Sequence, residues 1–139
     1  MFKLKLAALL AITAAFAVGC SGAAAAPQGG TVSATVSDMK VTVDRTSVPA
    51  GAVTFVVKNT GAVVHELVVL QTDVAQDKIA MDMDETGKMD ETGNVGETGD
   101  VDAGQSKTFT VTLPAGHYVL MCNEIGHYAA GMRMTFTVN

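Results

Sequence analysis

Three residues with metal-binding side chains lie close to the C-terminus at equal spacing. Cys122, His127 and Met132 supply a thiol, an imidazole and a thioether, with four residues between each pair. A second imidazole, that of His65, lies upstream at the start of an apolar stretch. Thiolate and thioether are soft donors that favour Cu(I), and imidazole serves both copper oxidation states. One thiolate, two imidazoles and a weak axial thioether form the ligand set of a blue-copper electron-transfer site.

The elements around these residues predict how the donors meet. One apolar strand is predicted to end at Cys122, and an alternating strand is predicted to begin at Met132. His127 then lies in the joining loop, where two glycines permit a tight backbone. His65 must arrive from a different strand, which opens after the turn residues 59–61.

From Thr31 onward, short alternating runs are separated by turns rich in Gly, Pro and Asn. No long stretch after the N-terminal segment shows helical periodicity. About seven short strands with turn-bounded spacing predict an all-β fold, an antiparallel Greek-key β-sandwich over residues 31–139. The predicted strands are 32–36, 39–43, 53–57, 63–70, 108–113, 117–121 and 132–138.

Residues 71–105 interrupt this pattern. They hold ten Asp and Glu residues against two lysines, and they contain three imperfect six-residue repeats. We predict a long acidic insert between two strands, with local turns and room for a short helix at 73–83. Residues 82–87 begin like a calcium-binding loop but lack its closing carboxylate. The insert could steer a basic partner or cover a sheet edge, and the sequence leaves both functions open.

The N-terminal residues predict export. Two lysines precede an apolar run that is too short for a stop-transfer helix, so residues 1–19 resemble a signal peptide. Small residues followed by Cys20 resemble a bacterial lipoprotein cleavage box. Lipidated Cys20 and a flexible tether over residues 20–30 would anchor the domain to a membrane that faces the periplasm or the cell exterior. Cleavage of a plain signal peptide near residues 23–26 is the alternative.

Export also changes the cysteine count and the charge. Lipidation of Cys20 leaves Cys122 without a disulfide partner, and an unpaired thiol in an oxidising compartment is a liability unless it is buried, reactive or metal-bound. From Cys20 onward, Lys plus Arg falls from 9 to 7 against 14 Asp plus Glu, so the formal charge is −7. This charge argues against nucleic acid as a partner and is compatible with a basic redox protein, such as a cytochrome or an oxidase.

Three stretches match motifs of one known family. Residues 116–122 are similar to a Gly-x-Tyr-x-x-x-Cys strand, and residues 58–61, Lys-Asn-Thr-Gly, precede His65 as in the strand that carries a first ligand histidine. The Cys-x4-His-x4-Met loop is similar in length to those of rusticyanin, auracyanin and sulfocyanin. From residue 31 to 139 the chain resembles the cupredoxins, the plastocyanin- and azurin-like blue copper proteins.

The resemblance implies roles for individual residues. His65 and His127 would be imidazole ligands, Cys122 the equatorial thiolate and Met132 the axial ligand of one type 1 copper ion. The family often has Asn after the first ligand histidine, where its side chain ties the two ligand loops together. Glu66 stands there instead, and its carboxylate could accept a hydrogen bond from the ligand loop or lie in solvent.

The resemblance also implies a function, that of a one-electron carrier and not an enzyme. A redox partner would dock where His127 reaches the surface, against a small apolar patch predicted at Ile125, Tyr128, Ala129 and Ala130. An extracytoplasmic copper-binding or delivery protein and an accessory subunit of an oxidase are the alternatives. Multicopper catalysis needs further histidine clusters, and the chain has three histidines in all.

Overall fold

Alternating apolar and polar residues produce nine strands and one short helix over residues 29–139, the part of the chain that the computed structural model describes. The predicted signal peptide, Cys20 and most of the tether lie outside the described residues. The elements are β1 (Gly30–Ser37), β2 (Lys40–Val43), β3 (Ser47–Val48), β4 (Gly51–Asn59), β5 (Val68–Gln71), β6 (Asn94–Glu97), β7 (Ser106–Leu113), β8 (Gly116–Met121), α1 (His127–Ala130) and β9 (Arg133–Val138).

The strands form two stacked sheets with the orders β2-β1-β4-β7 and β3-β9-β8-β5-β6. The all-β sandwich is confirmed, but its sheets are mixed, because β1 pairs with β4 and β3 pairs with β9 in parallel. After the β1–β2 hairpin the chain crosses to the second sheet at β3 and returns at β4. This excursion brings β4 alongside β1 in the same direction, which strand alternation alone does not encode.

The core between the sheets is built from alternate residues of the strands. Phe55 lies at its centre, with its ring centroid 5.2 Å from that of Phe109 and 5.8 Å from that of Phe136. The Tyr118 ring is completely buried, and its hydroxyl donates to the Pro114 carbonyl at 2.7 Å. The polar atom of this large side chain is therefore satisfied, as burial requires.

The predicted acidic insert is not a single loop between two strands. Within it, β6 pairs antiparallel with β5 and completes the edge of the second sheet. No helix forms at residues 73–83, where the sequence leaves room for one; turns and a bridge between Met81 and Met89 occupy this stretch. The sequence leaves open whether the insert covers a sheet edge or steers a partner. Its β6 covers a sheet edge, because it pairs with β5.

The part of this acidic stretch that precedes β6, residues 72–93, covers the outer face of the second sheet, and we call it the cover segment. Ile79 and Met89 of the cover segment pack in a second apolar cluster on that face. The cluster also contains four strand residues that point away from the main core and are at most 2 % exposed, namely Val68, Leu70, Val119 and Met121. Burial of both sheet faces explains why β5 and β8 are nearly continuous apolar runs.

Across residues 29–139, no helix has the length and apolar character needed to cross a membrane.

Candidate metal centre

The loop between β8 and β9 carries three of the predicted ligands. Cys122 directly follows β8, Met132 directly precedes β9, and His127 begins α1. The Cys122 N–H donates to the Met132 carbonyl at 3.0 Å, and the Met132 N–H donates to the His127 carbonyl at 3.1 Å. The strand pair therefore closes the base of the loop and holds the backbones of the three residues together.

The loop needs its two glycines. Gly126 and Gly131 flank α1 with φ values of 81° and 119°, in the left-handed region that disfavours other residues. The sequence prediction of a tight ligand loop is confirmed. The turn of helix between the glycines directs the His127 side chain back toward Cys122, and its Nδ1 lies 3.4 Å from the Cys122 Sγ.

His65 reaches the same end of the sandwich from the connection between β4 and β5. The predicted strand at 63–70 is shorter than expected, because regular pairing begins at Val68 and His65 makes a single bridge to Val101. Asn59, the buried last residue of β4, organises this connection. Its amide donates to the carbonyls of Val63 and Val101 at 2.7 and 2.8 Å, and its oxygen accepts the Gly61 N–H at 2.8 Å.

The donor atoms of His65, Cys122 and His127 form a triangle. The two Nδ1 atoms are 3.2 Å apart, and the Cys122 Sγ lies 3.4 Å from the His127 Nδ1 and 3.9 Å from the His65 Nδ1. In a flat triangle, bonds of about 2.0 Å to nitrogen and about 2.3 Å to sulfur separate the donors by about 3.5 to 3.8 Å. The triangle thus fits one first-row metal ion, and its thiolate and imidazole donors suit copper.

Burial sets the protonation of the site. Removal from water raises the pKa of the Cys122 thiol to about 11, an effect that the nearby Glu66 and Glu124 carboxylates reinforce and two backbone N–H groups oppose. Burial and the neighbouring His127 lower the pKa of His65, so its imidazole is neutral at pH 7. The neutral imidazole is ready to bind a metal ion, whereas the thiol must first lose its proton.

The second ring nitrogen of His65 faces Gly61. A Cβ at residue 61 would lie 2.9 Å from His65 Nε2, so glycine leaves the space that the ring needs. Among the described residues, this nitrogen is a buried side-chain atom without a hydrogen-bond partner. The ring therefore presents Nδ1, and not Nε2, to the other donors.

Met132 completes the predicted set of four. It is fully buried and belongs to the same core cluster as Cys122. The four residues make a site typical of type 1 copper. The axial role of the Met132 thioether stays a prediction.

Glu66 links the two ligand-bearing segments. Its N–H donates to the Cys122 Sγ at 3.4 Å, and its Oε1 accepts the Asn123 N–H at 3.1 Å. Of the two positions considered for this carboxylate, the hydrogen bond to the ligand loop is the one observed. Burial, together with the negative charges of Glu91 and Glu124, raises the pKa of Glu66 to about 7.

The surface around the site differs in one residue from the predicted apolar patch. His127 is half-buried, Ile125 is 67 % exposed, and Ala129 and Ala130 are exposed. Tyr128 is only 6 % exposed, because its side chain turns inward toward the cover segment. The sequence predicts Tyr128 in the patch because it does not reveal that a distant segment of the same chain covers the ring.

A two-sheet β-sandwich with a His-Cys-His triangle at one end defines the cupredoxin class of copper protein. Residues 8–138 match the family model described as a cupredoxin-like domain. The chain belongs to this family, as its motifs predict. Comparison with curated proteins finds no match.

Solved structures of blue copper proteins resemble this fold. Reduced auracyanin from the photosynthetic bacterium Roseiflexus castenholzii has a TM-score of 0.62 and 26 % identity, over 82 % of this chain and 99 % of that one. Auracyanin A, a blue copper protein from Chloroflexus aurantiacus, has a TM-score of 0.58 and 25 % identity, over 79 % and 100 %. Rusticyanin from Thiobacillus ferrooxidans has a TM-score of 0.60 at 20 % identity, over 81 % and 79 %, and shows likeness of fold alone.

Proposed function

We propose that this chain is a one-electron carrier that holds one type 1 copper ion and works on the extracytoplasmic surface of a membrane. The observation that carries the proposal is the triangle of His65, Cys122 and His127 donors at one end of a cupredoxin sandwich. Cupredoxins are generally electron carriers rather than enzymes, and we propose the same for this protein.

The residues of the site suit electron transfer. When bound, copper supplies a one-electron couple between Cu(II) and Cu(I). His65 and Cys122 are completely buried, so they exclude water and hold the donors in one arrangement. His127 is half-buried and is the donor that lies nearest to solvent, which supports its imidazole edge as the route to a partner.

The surface around His127 suits a small, transient contact with a basic redox protein. Exposed Ile125, Ala129 and Ala130 supply an apolar centre, and the acidic cover segment lies beside it through Gly87, which contacts Ile125. Electron-transfer contacts are typically smaller than about 1,200 Å². A basic cytochrome or oxidase is the kind of partner that this combination favours.

The cofactor is tested by loading the protein with Cu(II) and recording its visible spectrum. Charge transfer from the Cys122 thiolate should make the protein intensely blue or green, and Cys122→Ser should abolish the colour. A colourless Cu(II) complex of the wild-type protein would overturn the assignment.

Redox cycling and copper transfer distinguish an electron carrier from a copper-delivery protein. A carrier should cycle reversibly at an electrode and hold copper in both oxidation states. A delivery protein should instead transfer Cu(I) readily to an acceptor or chelator. The complete burial of Cys122 and His65 favours the carrier.

The membrane location is supported by the sequence of the first twenty residues. Radiolabelled fatty acid should appear on the wild-type protein expressed in a bacterium, and Cys20→Ala should remove it. Label that persists in Cys20→Ala would rule out this lipidation site, and an unlabelled, soluble wild-type protein would support cleavage of a plain signal peptide.

A further inference from the structure

Asn123, which follows the cysteine ligand, is held by the cover segment. It is 2 % exposed, and its side-chain oxygen accepts the Met89 N–H at 2.7 Å. Its amide nitrogen donates to the Met89 carbonyl at 3.0 Å and to the Glu91 carboxylate at 2.7 Å. The amide thus pairs with the backbone of Met89 as a neighbouring strand would, and three of its four hydrogen-bonding positions are used.

Tyr128, which follows the loop histidine, is held by the same segment. Its hydroxyl donates to the Gln76 carbonyl at 2.7 Å and accepts the Ile79 N–H at 3.0 Å. The guanidinium of Arg133 lies 4.9 Å from the centre of the ring, and Arg133 also donates to the Tyr128 carbonyl. The ring therefore has a cation against one face, and the cover segment holds its hydroxyl through two hydrogen bonds.

A third contact lies between these two residues. The Gly126 N–H donates to the Gly87 carbonyl at 3.2 Å. A Cβ at residue 87 would lie 2.8 Å from a methyl carbon of Ile125, so the backbone of the cover segment touches the loop closely there. Each histidine or cysteine ligand of the loop consequently has a neighbour in sequence that is tied to the cover segment.

The sandwich itself holds mainly the base of the loop, through the Cys122–Met132 backbone bond and the Glu66 carboxylate. Metal sites keep their affinity and redox properties when groups around the ligands fix the ligand positions. We propose that the cover segment is a positioning element for the copper loop, and that Asn123 and Tyr128 are the positioning residues through which it acts. This inference rests on the copper site of the proposed function and is independent of the redox partner.

Tyr128→Phe is the sharpest test, because it removes two hydrogen bonds without changing the shape of the ring. Asn123→Ala is the second variant. Tyr118→Phe is the matched control, because Tyr118 is also buried and donates one hydroxyl hydrogen bond, to Pro114, but lies on the opposite half of β8 from Cys122. All three variants are made in the full chain and loaded with copper.

The measurements are the rate at which a Cu(I) chelator removes copper, the reduction potential, and the urea unfolding of the copper-free protein. We expect Tyr128→Phe and Asn123→Ala to release copper at least about tenfold faster than wild type and to shift the potential, since loss of such supporting groups typically weakens metal sites by that factor. Tyr118→Phe should lower stability and leave both copper properties at wild-type values.

The outcomes separate the two hypotheses. A Tyr128→Phe protein that releases copper at the wild-type rate with an unchanged potential would show that the cover segment only covers the sheet. If Asn123→Ala does not fold, Tyr128→Phe alone decides. Failure of the wild-type protein to give a coloured Cu(II) form would contradict the copper function itself, which is a different result from wild-type behaviour of the variants.

Discussion

Cys122 is completely buried, and this burial controls how it can bind a metal ion. Its pKa of about 11 keeps the thiol protonated in the metal-free protein at neutral pH. His65 has a lowered pKa and binds without losing a proton at pH 7. Metal binding must therefore release the Cys122 proton, and the apparent affinity depends on pH.

The expected pH dependence has a definite sign. Below the raised pKa of Cys122, each unit of pH increases the thiolate fraction tenfold, so affinity rises by about tenfold per unit. Co(II), which does not oxidise the thiol, is the appropriate probe, and competition with a chelator at about pH 8 and about pH 9 measures the slope. Cys122→Ser should bind Co(II) much more weakly than the wild type, and the remaining affinity should not show the rise of about tenfold per unit of pH. A flat wild-type slope would mean that the thiol is already ionised or does not bind.

The axial position makes a second prediction for a single residue. Met132→Gln replaces a soft thioether, which favours Cu(I), with a harder amide oxygen. The variant should keep its copper and its colour while its reduction potential falls, as measured by voltammetry. An unchanged potential would argue against axial ligation by Met132.

Three of the four ligand residues could be predicted because donor chemistry and spacing act within one loop of the chain, and His65 could be predicted from the Lys-Asn-Thr-Gly motif that precedes it. The positions of Glu66 and Tyr128 could not be predicted in the same way. Each depends on a contact with a residue 49 or more positions away, as in the Tyr128–Ile79 and Glu66–Asn123 hydrogen bonds. Sequence pattern carries little information on such pairings.

At the scale of elements, the acidic cover segment packs on the apolar runs of β5 and β8. These runs predict strands that are buried on both faces. The main core buries one face, and the cover segment, whose acidic composition resembles that of a solvated insert, buries the other. Its acids lie mostly on the exposed side, while Ile79 and Met89 face the sheet. The composition of the segment hides these contacts, and the short β6 has too few apolar residues to predict a strand.

Packing of the cover segment can be tested with Leu70, which points to the outer face of its sheet and is 0 % exposed. Leu70→Ala should lower the free energy of unfolding of the copper-free protein by about 2–5 kcal/mol, as for a buried leucine. Val56→Ala is the control, because Val56 is 37 % exposed on the outer face of the other sheet and should cost less than about 1 kcal/mol. Urea unfolding measures both, and equal small losses would mean that the outer face is not covered.

At the scale of the whole molecule, the start of β1 and the copper site lie at opposite ends of the sandwich. β1 begins at Gly30 and runs parallel to β4, whose last residue, Asn59, organises the connection that carries His65. The strand of eight residues spans about 25 Å. A lipid tether that enters at Gly30 would leave the copper end directed away from its attachment, and free to meet a partner in solution.

The acidic residues are distributed unevenly along the chain. Ten of the 14 Asp and Glu residues lie within 71–105, and Glu85 of the cover segment belongs to the turn that contacts the copper loop through Gly87. Opposite charges steer encounter, and salt screens this attraction over distances of about 10 Å at 0.1 M. The acids near His127 should therefore govern the rate of encounter with a basic partner more strongly than acids at the other end.

Stopped-flow electron exchange with a basic cytochrome tests this charge distribution. For the wild-type copper protein, the second-order rate constant should fall by about tenfold or more between low and physiological ionic strength, because steering is lost. Glu85→Gln should lower the rate constant at low salt and flatten its salt dependence. Asp73→Asn is the matched control, because this exposed acid borders the Gly116 end of β8, far from the copper loop, and its loss should change the rate less. A rate constant that is independent of salt, or equal effects of the two variants, would show that the acidic surface does not guide docking at His127.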